Sequence, residues 1–145
     1  MKPFPIAMVT SRFNEKITQL LHDSAHDRLA NLGVPENFIT SVWVPGAGEI
    51  PLLVQHFAKS HRYKAIIVLG CIIRGETSHY DYVCQRAING CQQVMLEYHV
   101  PVISGILTTD NEEQAFARAG GPKGDTGAKV VDAAFEMVEL MEKLT

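Results

Sequence analysis

The run Ala65-Ile-Ile-Val-Leu-Gly-Cys-Ile-Ile73 is apolar at every position, which neither a half-exposed strand nor an amphipathic helix can be. A strand that shows apolar side chains on both faces must be covered on both, the setting of a central strand in a parallel sheet. Parallel neighbours cannot be joined by a tight turn and need crossovers long enough to hold a helix. The run stops at Arg74, well short of the roughly 20 apolar residues of a membrane span. The segment from Ala65 to Cys71 is therefore read as a buried strand, and helices are expected on either side of it in the chain.

The remaining sequence supplies them. Pro5 to Thr10 reads as a first strand, followed by Asn14 as an N-cap and a helical stripe of Ile17, Leu20, Leu21, Ala25, Leu29 and Leu32 that ends at Gly33. Ile39 to Val44 reads as a second strand, broken by Pro45-Gly46. A short helix then turns Ile50, Leu53, Val54 and Phe57 inward, with Pro51 in its first turn. After the buried strand come a long helix from about Ser78 to Tyr98 and a fourth strand from Val100 to Leu107. Thr109-Asp110 caps a helix reaching Ala119, the glycine-rich stretch 120–127 interrupts it, and Ala128 to Leu144 forms a last helix. Alternation of this kind predicts the α/β class: a three-layer α/β/α sandwich around a central four-stranded parallel sheet, as one domain over residues 1–145.

Composition narrows the function. Lys and Arg number 13 against 16 Asp and Glu, a net charge of −3 without a basic block, so neither nucleic acid nor a membrane surface is an expected partner. The start Met1-Lys-Pro-Phe-Pro5 has no signal-peptide pattern, which makes the cytoplasm the expected location. The cysteines, Cys71, Cys84 and Cys91, form no CxxC and suggest reduced thiols rather than a disulfide framework or a zinc ribbon.

Ligands of open parallel sheets bind beyond the carboxyl ends of the strands, so the segments after Thr10, Val44, Cys71 and Leu107 hold the candidates. Phe13, beside Asn14, is either a loop-tip aromatic that stacks on a planar ligand or a staple onto the next helix. Gly46-Ala47-Gly48 keeps side chains small so that backbone can approach a ligand, and Glu49 adds an acceptor for hydroxyls; the plainer alternative is a tight turn with a helix-start glutamate. Gly75-Glu76-Thr77 opens the long helix, where free N–H groups and the dipole suit phosphate. The Glu76 carboxylate opposes that use, so a cation is needed, for which Arg118 and Lys123 are the candidates. His79 lies in the first helical turn, where the dipole favours the neutral imidazole able to accept a proton; the alternative is an exposed capping histidine.

Other patterns are weaker. Cys71 with His79 could be imagined as a thiolate and its base, but no nucleophile elbow surrounds Cys71 and packing is its expected role. His22 and His26 stand at i and i+4 like zinc ligands, yet Asp23 replaces the usual glutamate and no third ligand is evident, so no metal is expected. Lys123 precedes Gly124 in a loop that follows a helix, which is not a P-loop.

Taken together, Ser11-Arg-Phe-Asn14, Val44-Pro-Gly-Ala-Gly-Glu-Ile-Pro51, Gly70-Cys-Ile-Ile-Arg-Gly-Glu-Thr-Ser-His-Tyr-Asp-Tyr-Val83 and Gly105-Ile-Leu-Thr-Thr-Asp-Asn111 with Arg118 resemble the lumazine synthase family, in order along nearly the whole chain. The resemblance implies condensation of 5-amino-6-(D-ribitylamino)uracil with 3,4-dihydroxy-2-butanone 4-phosphate to 6,7-dimethyl-8-ribityllumazine, phosphate and water, the penultimate step of riboflavin synthesis, with no metal or redox cofactor. It implies that Phe13 stacks on the pyrimidine with Asn14 beside it, and that Ala47, Gly48 and Glu49 meet the ribityl chain. Cys71, Ile72 and Ile73 would offer backbone to the ring, with Ser104 along the pocket. Gly75, Glu76, Thr77, Arg118 and Lys123 would hold the phosphate, and His79 would transfer protons. Implied partners are the small-molecule substrates, further copies of the chain in a pentamer or a 60-subunit shell with sites shared between neighbours, and riboflavin synthase as an optional companion.

The sequence departs from the family at Gly124-Asp-Thr-Gly127, where Thr126 stands for a usual lysine, at Ser104, where an aromatic is common, and at Gly48, where an aromatic is frequent. These departures motivate a second reading, a catalytically weak relative that binds flavin or lumazine.

Overall fold

The computed structural model describes residues 2–145. Four strands, β1 (Ile6–Ser11), β2 (Ile39–Val44), β3 (Ala65–Ile73) and β4 (Val102–Thr109), form a parallel sheet in the order β2-β1-β3-β4. Five helices connect and cover it: α1 (Glu15–Asn31), α2 (Ile50–Ser60), α3 (His79–Tyr98), α4 (Glu112–Arg118) and α5 (Thr126–Lys143). A hairpin of β5 (Ala119–Gly121) and β6 (Gly124–Asp125) joins α4 to α5. This is the expected three-layer α/β/α sandwich on a four-stranded parallel sheet.

Strand alternation sorts the core into two layers. Ile6 and Met8 of β1 join Ala65, Ile67, Leu69 and Cys71 of β3 on one face, against Ile17, Leu21, Ala25 and Leu29 of α1 and Val130, Val131, Ala134 and Val138 of α5. Ala7 and Val9 join Ile66, Val68 and Ile72 on the other, against Ile50, Val54 and Phe57 of α2 and Ala87, Cys91 and Val94 of α3. Every residue of β1, including the polar Thr10 and Ser11 at its end, and β3 as far as Ile72 is buried, the setting of strands covered on both faces.

Several local signals act as expected. The chain leaves α1 through Gly33 at φ 83°, where the N–H groups of Gly33 and Val34 reach back to the carbonyls of Ala30 and Leu29. Pro51 lies in the first turn of α2, where its missing N–H leaves no helical bond unmade. Other boundaries shift. Strand β4 begins at Val102 rather than Val100, because Pro101 has no N–H for the ladder, and it runs to Thr109, with Thr108 and Thr109 beside Ile72 and Ile73. The cap of α4 is Asn111, whose side chain accepts from the Gln114 N–H, in place of Thr109-Asp110. Asp125 caps α5 through the Ala128 N–H and accepts from the Ser24 hydroxyl, which starts that helix at Thr126 instead of Ala128.

Candidate active site

The carboxyl ends of β1, β2 and β3 meet the start of α3 around a cavity of about 470 Å³. Its wall includes Phe13 and Asn14 after β1, Gly46 to Glu49 after β2, Cys71 to Ile73 at the end of β3, and Gly75, Thr77 and His79 at the start of α3. Backbone bonds hold the first two loops together: the Arg12 N–H donates to the Val44 carbonyl at 2.8 Å and the Phe13 N–H to the Pro45 carbonyl at 3.0 Å. Phe13 does not staple onto α1; its side chain is 71% exposed, an apolar face left uncovered at the cavity wall.

Asn14 departs from the expected cap. It occupies the residue before α1, but in the left-handed region at φ 62°, and its side chain makes no bond to the helix. Its amide donates instead to the Cys71 carbonyl at 2.9 Å, fixing the end of β3 against the β1 loop. Asparagine is among the few non-glycine residues that tolerate this backbone conformation.

Gly46 and Gly48 make room for side chains rather than leaving bare backbone. A Cβ at Gly46 would stand 3.1 Å from Oε1 of Glu49, and one at Gly48 would stand 3.3 Å from Nη1 of Arg86. Arg86 lines the cavity together with Tyr80 and Val83; the last two close the family-like segment that begins at Gly70, Arg86 lies beyond it, and none of the three was expected as a site residue. The available signal was helical spacing, since 79, 83 and 86 fall on one face of a helix.

The stretch between β3 and α3 is held by Arg74. Its N–H extends the sheet ladder to the Thr109 carbonyl at 2.9 Å, and its Nε donates to Asp110 at 2.9 Å. Nη1 lies 3.7 Å from Asp81 and the guanidinium carbon 4.3 Å from the centre of the Tyr80 ring. Asp110 holds the Arg74 guanidinium more firmly protonated than usual. The segment after β4 thus anchors the site instead of lining it. Beyond Arg74, the Thr77 hydroxyl accepts from the His79 N–H at 3.3 Å, and the His79 side chain is exposed at the cavity.

Cys71 is a wall residue and not a nucleophile. Burial, with the Glu112 carboxylate adding to it, pushes its thiol up to about 12, far from the thiolate a cysteine–histidine hydrolase requires.

Four of the expected residues lie off this cavity wall. Glu76 is exposed and not part of the wall, and Ser104 is exposed on β4, an edge strand of the sheet. Arg118 is half-buried with Nη1 donating to the Gln114 carbonyl at 2.9 Å, and Lys123 is exposed in the β5–β6 turn. Both belong to the segment following β4, whereas the cavity is built from the three strands before it. His22 and His26 are engaged at the rim of β2: His22 meets the Ser41 hydroxyl at 3.0 Å and His26 the Glu36 carboxylate at 2.9 Å. Among the described residues, no group of three His, Cys, Asp or Glu side chains could hold a metal, and no helix is long and apolar enough to cross a membrane.

Fold and site together define an α/β protein with a ligand cavity at the carboxyl edge of a parallel sheet, walled by an exposed aromatic, an acceptor carboxylate and a helix start bearing histidine. The family model described as 6,7-dimethyl-8-ribityllumazine synthase matches residues 3–142, and the chain belongs to that family. Proteins named 6,7-dimethyl-8-ribityllumazine synthase from two strains of Coxiella burnetii, CbuG_Q212 and RSA 493 / Nine Mile phase I, are each 55% identical over 141 residues, covering 97% of this chain and 93% of theirs. Among solved structures, a de novo designed Rossmann-fold protein aligns over 78% of this chain and 91% of its own at 13% identity and a TM-score of 0.44.

Proposed function

We propose that this chain, as a single domain, condenses 5-amino-6-(D-ribitylamino)uracil with 3,4-dihydroxy-2-butanone 4-phosphate to give 6,7-dimethyl-8-ribityllumazine. The observation that carries the reading is the family match over residues 3–142, which spans every segment of the cavity wall. In the proposed site Phe13 stacks on the pyrimidine, the backbone of Cys71 to Ile73 meets the ring edge, and Ala47 to Glu49 meet the ribityl chain. Gly75 and Thr77 at the start of α3 receive the phosphate. The absence of Glu76, Ser104, Arg118 and Lys123 from the cavity wall supports a site shared between subunits, in which Ser104, Arg118 and Lys123 serve a neighbour's cavity. A pentamer is the smallest assembly proposed, with the 60-subunit shell built from it, in the cytoplasm and with riboflavin synthase as a companion.

The chemistry asks for proton traffic more than for a strong nucleophile. The 5-amino nitrogen attacks the ketone and one water leaves as the imine forms. Loss of a proton from the adjacent carbon lets the C–O bond to phosphate break. The resulting enol returns to a ketone, the ribitylamino nitrogen attacks it, and a second water leaves as the ring closes. The exposure of His79 at the cavity supports it as the group that accepts and returns these protons. Because both reactants are inherently reactive, holding them together supplies much of the acceleration.

Mixing the purified protein with both substrates while following lumazine absorbance and phosphate release tests the proposal. Product and phosphate should appear together, faster than in the uncatalysed mixture. No acceleration from a folded, assembled protein that still binds lumazine would transfer the assignment to a flavin- or lumazine-binding relative.

A further inference from the structure

Arg86 reaches the cavity from the second turn of α3, and its position is set by a glycine. The Cβ absent from Gly48 would lie 3.3 Å from Nη1, 3.4 Å from Cζ and 3.7 Å from Nε, so the plane of the guanidinium faces the bare backbone. Any side chain at position 48 would compete for that space. On its outer side Nη2 stands 3.9 Å from Oε2 of Glu49, too long for a hydrogen bond. Both side chains are substantially exposed, at 69% for Arg86 and 45% for Glu49, so the pair adds little to stability.

A gap of that length between a carboxylate and a guanidinium suits one oxygen placed about 2.8 Å from each. A hydroxyl fits, because it donates to the carboxylate and accepts from the guanidinium at the same time. We propose that Glu49 and Arg86 grip one hydroxyl of a polyol chain carried by a planar heterocycle, and that Arg86 is thereby a specificity-determining residue, with Gly48 small in order to seat it. The inference rests on the assignment of this cavity to the ribityl-bearing substrate. It adds a residue of the helix to a binding surface otherwise drawn from the strand-end loops.

The test is steady-state kinetics with the ribitylaminouracil varied at saturating phosphate ester. An aminouracil carrying an unhydroxylated pentyl chain is run beside it as alternative substrate or competitive inhibitor. Arg86→Ala should raise KM for the ribityl substrate about three- to tenfold, leave kcat within about twofold, and leave the pentyl compound's constant unchanged. Gly48→Ala should act in the same direction by displacing the guanidinium, and the combined variant should be no worse than Arg86→Ala alone. Equal weakening of both compounds, or additive effects of the two substitutions, would overturn the proposal. Phe13→Ala separates the inference from its foundation. If Phe13→Ala raises KM and Arg86→Ala does not, the hydroxyl grip is wrong while the cavity stands; if neither moves KM, the substrate lies elsewhere and both fall.

Discussion

Replacing Asn14 separates two things the residue does. Its amide donates to the Cys71 carbonyl at 2.9 Å, and its backbone sits at φ 62° and ψ 47°. Loss of a partly buried hydrogen bond costs about 0.5–1.5 kcal/mol net. Forcing an ordinary L-residue into the left-handed region costs on the order of 1 kcal/mol more, a strain glycine does not bear. Asn14→Gly should therefore lose about 1 kcal/mol and Asn14→Ala about 2 kcal/mol. For a chain of this size each kcal/mol moves Tm by about 2–4 °C, so the expected order is wild type, then Gly, then Ala, in steps of that width. Thermal unfolding followed by circular dichroism measures it, at matched protein concentration because any assembly shifts Tm by mass action. Both variants should also raise KM for the heterocyclic substrate by a few fold, since both free the Cys71 peptide at the cavity wall. An Ala variant as stable as the Gly variant would refute the strain argument, and an unchanged KM in both would refute the role of the amide.

His79→Ala should slow turnover by about 10²- to 10⁴-fold at most without abolishing it, measured with both substrates saturating; complete loss in a protein that still binds substrate would contradict catalysis by positioning. Cys71→Ser should retain most of the activity, whereas a thiol-dependent reaction would be eliminated. Gly90→Ala should destabilise: the new Cβ would stand 2.6 Å from Cγ of Pro51 in α2. Overpacking of roughly 1–3 kcal/mol then exceeds the roughly 1 kcal/mol gained in helix propensity, and a raised Tm would show that the helices can part freely. Burial lifts the thiols of Cys71 and Cys91 from 9.0 to about 12, so above pH 9 the unfolded chain releases protons that the folded one keeps. Stability should fall with rising pH from 9 towards 12, by on the order of 1 kcal/mol per pH unit for each thiol, and urea titrations at pH 8 and 10 should show a shallower loss when both are alanine.

The sheet was legible because β3 carries apolar residues at every position and β1 does so from Ile6 to Val9, a pattern that no exposed element sustains. Strand ends were less so, since Thr108 and Thr109 continue β4 by pairing with the end of β3, a partner that lies about 36 residues away in sequence. The cavity loops were found because strand carboxyl ends gather ligands. Arg86 was not, because an arginine one turn beyond Val83 and two beyond His79 has the same spacing as one on a solvated face, and only the room left by Gly48 distinguishes it. The glycine-rich stretch 120–127 contains the β5–β6 hairpin, whose short strands carry too few side chains to show a period. Arg118 and Lys123 illustrate a different limit: sequence order does not say whether a segment after the last strand folds back to a cavity built from the earlier ones.

The order β2-β1-β3-β4 puts the earliest strand to leave the ribosome between two later ones. Both hydrogen-bonding edges of β1, whose residues Ile6 to Ser11 are all buried in the finished fold, wait for partners, and the second of them, β3, is complete only about 60 residues after β1 ends. At synthesis rates of roughly 5–20 residues per second, a sticky apolar strand stays half-paired for several seconds. Pairing that must span such sequence distances is intrinsically slow. The nascent chain is therefore most open to misassociation before residue 73 emerges, and a chaperone that shields extended apolar segments would act on it during that interval.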